Sequence, residues 1–483
     1  MSENHEFIRN GTMIQYFEWY LPDDGSLWKK VSREAAKLAD AGITALWLPP
    51  AFKGPGGIHD VGYGAYDLYD LGEFNQKGSI PTKYGTRREY TDAIRACHKA
   101  GMQVYADIVV DHKIGADGTE EVEAFECAGN NREEELGGEI KIRAYTIFNF
   151  PGRHGKYSSF TWDSSCFDGV DYDDYTKKNS VYLLKGHTWQ HNVDTENGNF
   201  DYLMGADLDF SVPKVIKELT DWGKWYLDTT DIDGFRLDAV KHIDAGIYRD
   251  WLPAMRSYAK RELFTVGEYW SNDLNTLRNY ICEVNGDMSL FDVPLHFNLQ
   301  RISLNGEGED LRRVFDNTLT SVDPTHAVTF VDNHDTEPGQ ALCSWVGGWF
   351  REHAYALILL RQSGYPCVFY GDLYGIPSRN INPMGESLLT LLRLRRDYAY
   401  GWQHDYWNDA HCIGWTREKG LAAILSTMGE HTFSMYVGEV FSGSTFVDAL
   451  GNNDSRIVIH PDGTGDFPVH AGQASVYVPE AKP

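Results

Sequence analysis

The chain has 483 residues, which is too long for one hydrophobic core and long enough for two or three domains. Its formal net charge of -26 argues against nucleic acid, polyanionic substrates and anionic membranes, because these partners attract basic surfaces. The hydrophobic fraction of 42% permits a sizeable core. No apolar run approaches the roughly 18 residues of a membrane span, so we expect no membrane partner.

The sequence shows neither a targeting segment nor a disulfide framework. Residues 1–6 are polar and acidic, with no basic start and no apolar run after them. The seven cysteines are odd in number and form no CxxC pair, so a thiolate zinc site is not expected. These features predict a reducing, cytoplasmic location. Secretion with the signal removed is the weaker alternative.

The first hundred residues alternate apolar strands with amphipathic helices. Strands are predicted at residues 13–20, 43–48 and 103–112, and helices at 30–41 and 87–100. This alternation indicates parallel βαβ units. Between His112 and Pro213 the pattern becomes irregular, with short segments, many charges and many aromatics. Because this stretch is too long for an ordinary loop, we expect an inserted domain of irregular β structure.

The alternating pattern resumes with a helix at 214–227. Further strands are predicted at 234–238, 263–268, 289–292, 327–331 and 366–370. Eight strands with intervening helices match a (β/α)8 TIM barrel. After about residue 398, short strands separated by Gly, Asn and Asp turns predict a C-terminal antiparallel β-sandwich. The expected domains are the barrel from 1–111 and 214–397, the insert 112–213 and the sandwich 398–483.

Several barrel strands end in residues that can carry chemistry. In such a barrel the reactive side chains lie at the carboxyl ends of the strands. The strand ends are Asp111-His112 for the third, Asp238 followed by Lys241-His242 for the fourth, Glu268 for the fifth and residues 332–335 for the seventh. The repetition indicates an active site rich in carboxylates, whereas any single polar strand end would mean little.

Carboxylates without a thiol or a serine triad suit glycoside hydrolysis, which needs one ionised and one protonated carboxyl group. Arg236 lies two residues before Asp238 and therefore on the same face of the strand. We expect it to lower the pKa of Asp238 by about 1–3 units. Glu268 has an apolar, aromatic setting that should raise its pKa. Asp335 could offset oxocarbenium charge.

Four stretches resemble the α-amylase family of retaining α-glycosidases: residues 107–112, 234–242, 266–269 and 330–335. Residues 15–20, 61–74 and 291–296 resemble the bacterial liquefying amylases and their intracellular relatives. The resemblance implies that Asp238 is the nucleophile, Glu268 the acid/base and Asp335 the transition-state stabiliser. It implies substrate contacts for Gln15, Tyr63, His112, Arg236, Lys241, His242, Trp270 and His334.

The resemblance also implies a structural Ca²⁺ between barrel and insert. Its ligands would be Asp111, Asp201, Asp207 and the backbone carbonyl of His242. The family more often has Asn at the position of Asp111. Asp168 matches one ligand of a second cation cluster in liquefying relatives. Gln190 and Ser211 stand where other ligands of that cluster would be Asp, so a complete second cluster does not follow.

Three functions are compatible with these residues. The first is endo-hydrolysis of α-1,4-glucosidic bonds in starch, glycogen or maltodextrins by a monomer. In this reaction Asp238 and Glu268 should lie roughly 5–5.5 Å apart and the anomeric configuration should be retained. The second is a maltooligosaccharide-specific hydrolase or a 4-α-glucanotransferase with the same covalent intermediate. The third, an inactive glycan-binding barrel, predicts the loss of a catalytic carboxylate, yet all three are present.

Overall fold

The computed structural model describes residues 10–480, apart from the side chain of Glu307. Residues 1–6, for which the sequence predicts no targeting segment, lie outside the described residues.

Eight parallel strands close into a barrel, which confirms the predicted (β/α)8 fold. β1 (Met13–Gln15) pairs with both β2 (Ala45–Leu48) and β8 (Tyr365–Phe369), so the sheet has no free edge. The first strand is shorter than the predicted 13–20, because only residues 13–15 pair with the neighbouring strands. The strands are β1 Met13–Gln15, β2 Ala45–Leu48, β3 Gln103–Ile108, β4 Gly234–Leu237, β5 Phe264–Gly267, β6 Ser289–Phe291, β7 Ala327–Phe330 and β8 Tyr365–Phe369.

Helices follow most of these strands. The first predicted helix ends at Gly42, whose left-handed φ of 108° only glycine adopts easily. The second begins with a capping box between Thr86 and Glu89. The α-helices are Leu27–Ala41, Arg87–Lys99, Pro213–Thr230, Ala245–Ala259, Leu274–Glu283, Val293–Asn305, Leu319–Val322, Arg351–Leu360, Tyr370–Tyr374 and Glu386–Asp397.

An antiparallel sheet of seven strands interrupts the barrel between β3 and β4, as the irregular pattern predicted. Its first strand, which directly follows β3, pairs with its last strand, and in this pairing Asp207 lies opposite His112. The strands are His112–Lys113, Gly118–Ala128, Asn131–Glu135, Ile140–Ile147, Phe167–Asp173, Lys178–Leu184 and Ala206–Leu208.

Two antiparallel sheets form the C-terminal part of the chain. They enclose an apolar core that includes Ile424, Met435, Phe446 and Phe467. One sheet contains Gln403–Tyr406, Cys412–Arg417, Leu421–Ser426, Ala474–Pro479, Thr445–Asp448 and Arg456–Val458, and the other pairs His431–Tyr436 with Thr464–Val469. Between residues 10 and 480, no helix has both the length and the apolar composition for crossing a bilayer.

Candidate active site

A single guanidinium group joins the carboxylates at the carboxyl ends of β4 and β5. Arg236 is fully buried in the barrel. Its Nη1 donates to Asp238 Oδ1 at 2.5 Å, and its Nη2 donates to Glu268 Oε2 at 2.8 Å. Both carboxylates therefore lie beside the same cation in the candidate pocket at this end of the barrel, and each is 8% exposed. The side chain of Asp335 is 25% exposed at the end of β7.

Asp107 also holds this guanidinium, a role that was not predicted from the sequence. Its Oδ1 accepts from Arg236 Nη1 at 2.9 Å. Its Oδ2 accepts from the Tyr63 hydroxyl at 2.7 Å and from Trp47 Nε1 at 2.9 Å. Asp107 and Arg236 are direct neighbours in the register of β3 and β4. Only that register identifies the pair, since a lone Asp inside an apolar strand carries no signal for it.

The backbone turns sharply behind Asp238. Ala239 has a left-handed φ of 50°, which is uncommon for a residue with a side chain. In this conformation its N–H donates to Glu268 Oε2 at 3.2 Å. A short 3₁₀ helix, Val240–His242, follows. Such strain concentrates at functional sites, and here it directs a backbone donor at Glu268.

Burial decides the protonation of the three carboxyl groups. Burial raises the pKa of Asp238 to about 6, although the charge of Arg236 opposes it. Arg236 lowers this pKa, as expected, but burial outweighs it, so the pKa of Asp238 ends above its usual value. Burial, followed by the charges of Asp238 and Asp335, raises the pKa of Glu268 to about 7 against the charge of Arg236. Burial also raises the pKa of Asp335 to about 6. Glu268 thus holds its proton to the highest pH, as expected for the acid.

His334 lies between Gln15 and Asp335. Its Nδ1 is 3.1 Å from Gln15 Nε2, and its Nε2 is 3.3 Å from Asp335 Oδ2. Burial, together with the charge of Arg236, lowers the pKa of His334 well below its usual value, so the ring is neutral. Since Gln15 Nε2 can only donate, Nδ1 accepts and Nε2 carries the hydrogen that faces Asp335.

His112 contacts two acceptors of the protein. Its Nδ1 lies 3.1 Å from Asp111 Oδ2, and its Nε2 lies 2.9 Å from the Tyr63 carbonyl. Burial alone would lower the pKa of His112, but the hydrogen bond and charge of Asp111 outweigh it and raise the pKa. Both ring nitrogens therefore donate within the protein. The geometry supports a role in fixing Tyr63 more directly than a hydrogen bond to a sugar.

Three parallel rings form one wall of the pocket. Tyr63 and His334 stack with centroids 4.9 Å apart, and Trp19 lies parallel to Tyr63 at 6.0 Å and to His334 at 6.1 Å. Flat rings of this kind suit the apolar face of a sugar. Trp19 was not among the expected site residues, because an aromatic residue just after a short strand is more often part of a core.

Lys241 lies between Trp270 and the insert. Lys241 Nζ is 2.9 Å from Glu196 Oε2 and 3.5 Å from the Trp270 carbonyl. His242 Nδ1 donates to the Phe200 carbonyl at 2.6 Å, so its ring is held by the insert. Burial lowers the pKa of His242, which keeps it neutral. The insert therefore contacts two residues of the 3₁₀ turn itself, Lys241 and His242.

Comparison with known proteins identifies the family. The family model described as "Alpha amylase, catalytic domain" matches residues 28–420. The chain belongs to the α-amylase family. It is 57% identical over 479 residues to an α-amylase of Geobacillus stearothermophilus, covering 97% of this chain and 87% of that protein. It is 40% identical over 495 residues to the cytoplasmic α-amylase of Escherichia coli (strain K12), covering 98% and 99%.

Two further matches extend the comparison of this α-amylase family member. A glucan 1,4-alpha-maltohexaosidase of Bacillus sp. (strain 707) is 49% identical over 486 residues, covering 99% of this chain and 94% of the relative. Among solved structures, the α-amylase of Geobacillus thermoleovorans in complex with acarbose has a TM-score of 0.64 at 20% identity, covering 98% of this chain and 99% of that one. This structural match supports the fold.

A buried acidic cluster lies where the insert meets β3 of this α-amylase family chain. Among the described residues, Asp168, Asp201 and Asp207 offer carboxylate oxygens within 4.8 Å of one another. Within the same part of the chain, Asp111 Oδ1, both oxygens of Asp168, Asp201 Oδ1 and Asp207 Oδ2 are buried without a hydrogen-bond donor. Oxygen-rich clusters of this kind are what Ca²⁺ prefers. The residues therefore fit a hard divalent cation.

Burial raises the pKa values of this cluster, and mutual repulsion adds to the effect. The pKa of Asp201 rises to about 8, with Asp111 among the charges that raise it. The pKa values of Asp168 and Asp207 rise well above the usual range for the same reasons. A bound dication would remove this repulsion. Asp209 is held differently, because its carboxylate accepts from His187 Nδ1 at 2.5 Å and from the Ser211 hydroxyl at 2.5 Å.

Proposed function

We propose that the chain hydrolyses internal α-1,4-glucosidic bonds of starch, glycogen or maltodextrins with retention of anomeric configuration. One observation carries this proposal: Asp238 and Glu268 contact the two ends of the Arg236 guanidinium. This arrangement supports a nucleophile and an acid at one pocket, with the higher pKa on Glu268. Membership of the α-amylase family and relatives named α-amylase support the same reaction.

In the first step, an ionised oxygen of Asp238 attacks the anomeric carbon. Glu268 donates its proton to the glycosidic oxygen, the bond to the leaving sugar breaks, and a covalent glucosyl-enzyme forms. In the second step, Glu268 takes a proton from water while the water oxygen attacks the same carbon and releases Asp238. Two inversions give net retention. Asp335, with His334 donating towards it, stabilises the positive charge that develops on the ring.

The remaining roles follow from the contacts. We propose that Arg236 orients Asp238, and that the Tyr63 and Trp19 rings stack on the sugar at the cleaved bond. Gln15 fixes the ring of His334, and His112 fixes Tyr63. Lys241, His242 and Trp270 serve the leaving-group side.

We also propose a structural Ca²⁺ held by Asp111, Asp168, Asp201 and Asp207, with the His242 carbonyl as a further ligand. The buried carboxylate oxygens without donors support this site. The ion would fasten the insert to the end of β3 and takes no part in the bond-breaking steps. Asp209, a further carboxylate close enough to act on Asp168, already accepts hydrogen bonds from His187 and Ser211 and is not free to bind a cation. A second cation cluster is therefore not proposed.

Domain limits and location are also proposals. The barrel would comprise residues 1–111 and 214–397, the insert 112–213 and the C-terminal domain 398–483. A cytoplasmic location is supported by the relative named cytoplasmic α-amylase. It is also supported by the seven cysteines, all of which are unpaired in the described part of the chain.

A second function is supported by one comparison. The relative named glucan 1,4-alpha-maltohexaosidase covers nearly the full chain, so release of maltohexaose from starch is a specific alternative. Interception of the covalent intermediate by a sugar hydroxyl would instead give a 4-α-glucanotransferase. All three activities use Asp238 and Glu268 in the same way, and they differ in their products.

Timed product analysis on starch and on maltohexaose tests the proposal. An endo-hydrolase should give a broad early mixture from starch and only shorter sugars from maltohexaose. Dominant maltohexaose from starch would favour the second function, and products longer than the maltohexaose substrate would indicate transfer. Asp238→Asn should reduce kcat by about 10³-fold or more, since the nucleophile is lost.

The matched control is Asp250→Asn, a carboxylate whose side chain is 83% exposed outside the pocket, which should behave like the parent. An Asp238→Asn protein as active as the parent would refute the nucleophile assignment. A parent protein that leaves both glucans intact would refute the function.

A further inference from the structure

The wall of the pocket formed by the Trp19, Tyr63 and His334 rings is held in place by contacts that the mechanism does not use. Glu337, which is fully buried in the loop after β7, accepts from the Trp19 backbone N–H through Oε1 at 2.8 Å. One residue further along both segments, the Tyr20 hydroxyl donates to the Pro338 carbonyl at 3.1 Å. Gln340 Nε2 donates to the same hydroxyl at 2.8 Å. The segment after β1 is thus tied to the loop that carries Asp335.

Glu337 has an unusual electrostatic setting for a side chain that holds a loop. Among the described residues, its Oε2 is buried without a hydrogen-bond partner. Glu18 is buried in the facing segment, where its Oε2 accepts from the Tyr20 backbone N–H at 2.5 Å. Asp335 adds negative charge from the same loop. A second ionised carboxylate here would be a poorly compensated buried charge.

The positive groups that face this pair offer limited compensation. Arg379 lies over the Tyr20 ring at 4.0 Å, and its charge acts on Glu337. Lys83 acts on Glu18. Burial nevertheless raises the pKa of Glu337 to about 9, with Glu18 and Asp335 adding to the effect. Burial raises the pKa of Glu18 to about 7. Glu337 therefore carries a proton at neutral pH.

We propose that Glu337 is a positioning residue for the glucan reaction. As a neutral acid it accepts the Trp19 backbone N–H and so holds the Trp19 ring, parallel to those of Tyr63 and His334, where it receives the sugar. When Glu337 ionises, the buried charge draws the loop towards water and the wall loosens. Substrate binding therefore weakens in alkaline solution for a reason separate from the catalytic acid. This inference rests on the proposed function, because it assigns the wall to a glucan.

The test separates binding from catalysis by using a Glu268→Gln parent, which removes both turnover and the titration of the acid. The dissociation constant of maltohexaose is measured by calorimetry between pH 7 and 10. In this parent the affinity should fall as the pH rises through about 9, the pKa of Glu337. Adding Glu337→Gln should keep the hydrogen bond to Trp19 and make the affinity independent of pH over this range.

Two further variants complete the set. Glu337→Ala removes the acceptor and should bind about five- to tenfold more weakly than Glu337→Gln at every pH, the effect of one lost buried hydrogen bond. Glu34→Gln is the matched control. Glu34 accepts hydrogen bonds from the hydroxyls of Tyr16, in the same segment, and Tyr374 at 2.7 and 2.6 Å. It has no role in the wall, so the control should follow the parent.

Thermal unfolding gives a readout that needs no substrate. A Glu whose pKa is raised in the folded protein makes its full contribution to the free energy of unfolding at low pH. It loses that contribution as the pH rises towards about 9. Glu337→Gln should therefore have a higher Tm than its parent at pH 8, and this advantage should shrink at pH 5. Glu34→Gln should not show this pattern.

The inference is overturned if Glu337→Gln shows the same alkaline loss of affinity as its parent, or if Glu337→Ala binds as tightly. Failure of the proposed function would look different: the Glu268→Gln parent would not bind maltohexaose at any pH. In that event the unfolding comparison decides the electrostatic part, and an identical pH dependence of Tm in parent and Glu337→Gln would overturn it.

Discussion

At the level of single residues, burial outweighs charge in the pocket. The sequence placed Arg236 on the same strand face as Asp238 and predicted a lowered pKa. The structure shows that Arg236 is shared among Asp107, Asp238 and Glu268, so each carboxylate receives only part of its charge. The order of the two catalytic pKa values was predictable from the neighbouring residues. The pKa values themselves were not predictable, because they depend on how deeply the two carboxyl groups are buried in the folded barrel.

This shared guanidinium predicts a narrow pH profile. kcat/KM on a soluble maltooligosaccharide should rise as Asp238 ionises, with an apparent pKa of about 6. It should fall as Glu268 loses its proton, with an apparent pKa of about 7. The optimum therefore lies between pH 6 and 7.

Glu283→Gln provides the control for the pH profile, since Glu283 is an exposed carboxyl at the end of a surface helix. Its profile should coincide with that of the parent. A plateau of kcat/KM extending to pH 9 would contradict the assignment of Glu268 as the acid.

At the level of elements, strand ends were predictable and loop contacts were not. The apolar runs of β3, β4, β5 and β7 are each followed by carboxylate or imidazole side chains. Because these strands are parallel, the sequence predicted that these side chains lie at one end of the barrel. Contacts between distant loops, such as those of Trp19 with Glu337 and of Lys241 with Glu196, depend on long-range packing. No local pattern indicates which loops will meet.

Lys53 illustrates a positioning role that sequence cannot show. A lone lysine in a glycine-rich loop normally indicates a solvated side chain, yet Lys53 is fully buried. Its ammonium donates to the carbonyls of Ser79 at 2.8 Å and Ile80 at 2.7 Å. Its backbone carbonyl accepts from the Tyr66 N–H at 3.0 Å. Lys53 therefore closes the long loop that carries Tyr63.

The acidic cluster between β3 and the insert predicts a response to chelation. Removing Ca²⁺ leaves the buried carboxylates to repel one another, so EDTA should lower the Tm. If Ca²⁺ is present at about 1,000 times its Kd, the loss corresponds to about 4 kcal/mol. The measurement is thermal unfolding in excess Ca²⁺ and in excess EDTA.

Asp168→Asn should shrink the difference in Tm between the two conditions, because it removes one charged ligand. The control Asp466→Asn, at an exposed position in the C-terminal sheets, should keep the full difference. Equal Tm values of the parent protein with and without chelator would argue against the cation site.

At the level of the whole molecule, the barrel and C-terminal sheets were predictable from hydrophobic periodicity. Their junction was not. His353 Nε2 lies 3.0 Å from the Ser426 carbonyl, and Arg417 Nη1 donates to the Leu360 carbonyl at 3.0 Å. These buried contacts join the sheets to the helix before β8. The net charge of -26 agrees with a neutral glucan substrate and a bound cation.

The central claim is that Asp238 and Glu268 carry out a double displacement. The most direct measurement is proton NMR of the products during the first minutes of maltohexaose hydrolysis, before mutarotation equilibrates the anomers. Retention predicts that the new reducing end appears first as the α-anomer and that the β-anomer grows in later. Initial appearance of the β-anomer would mean a single inverting displacement and would contradict the covalent role of Asp238.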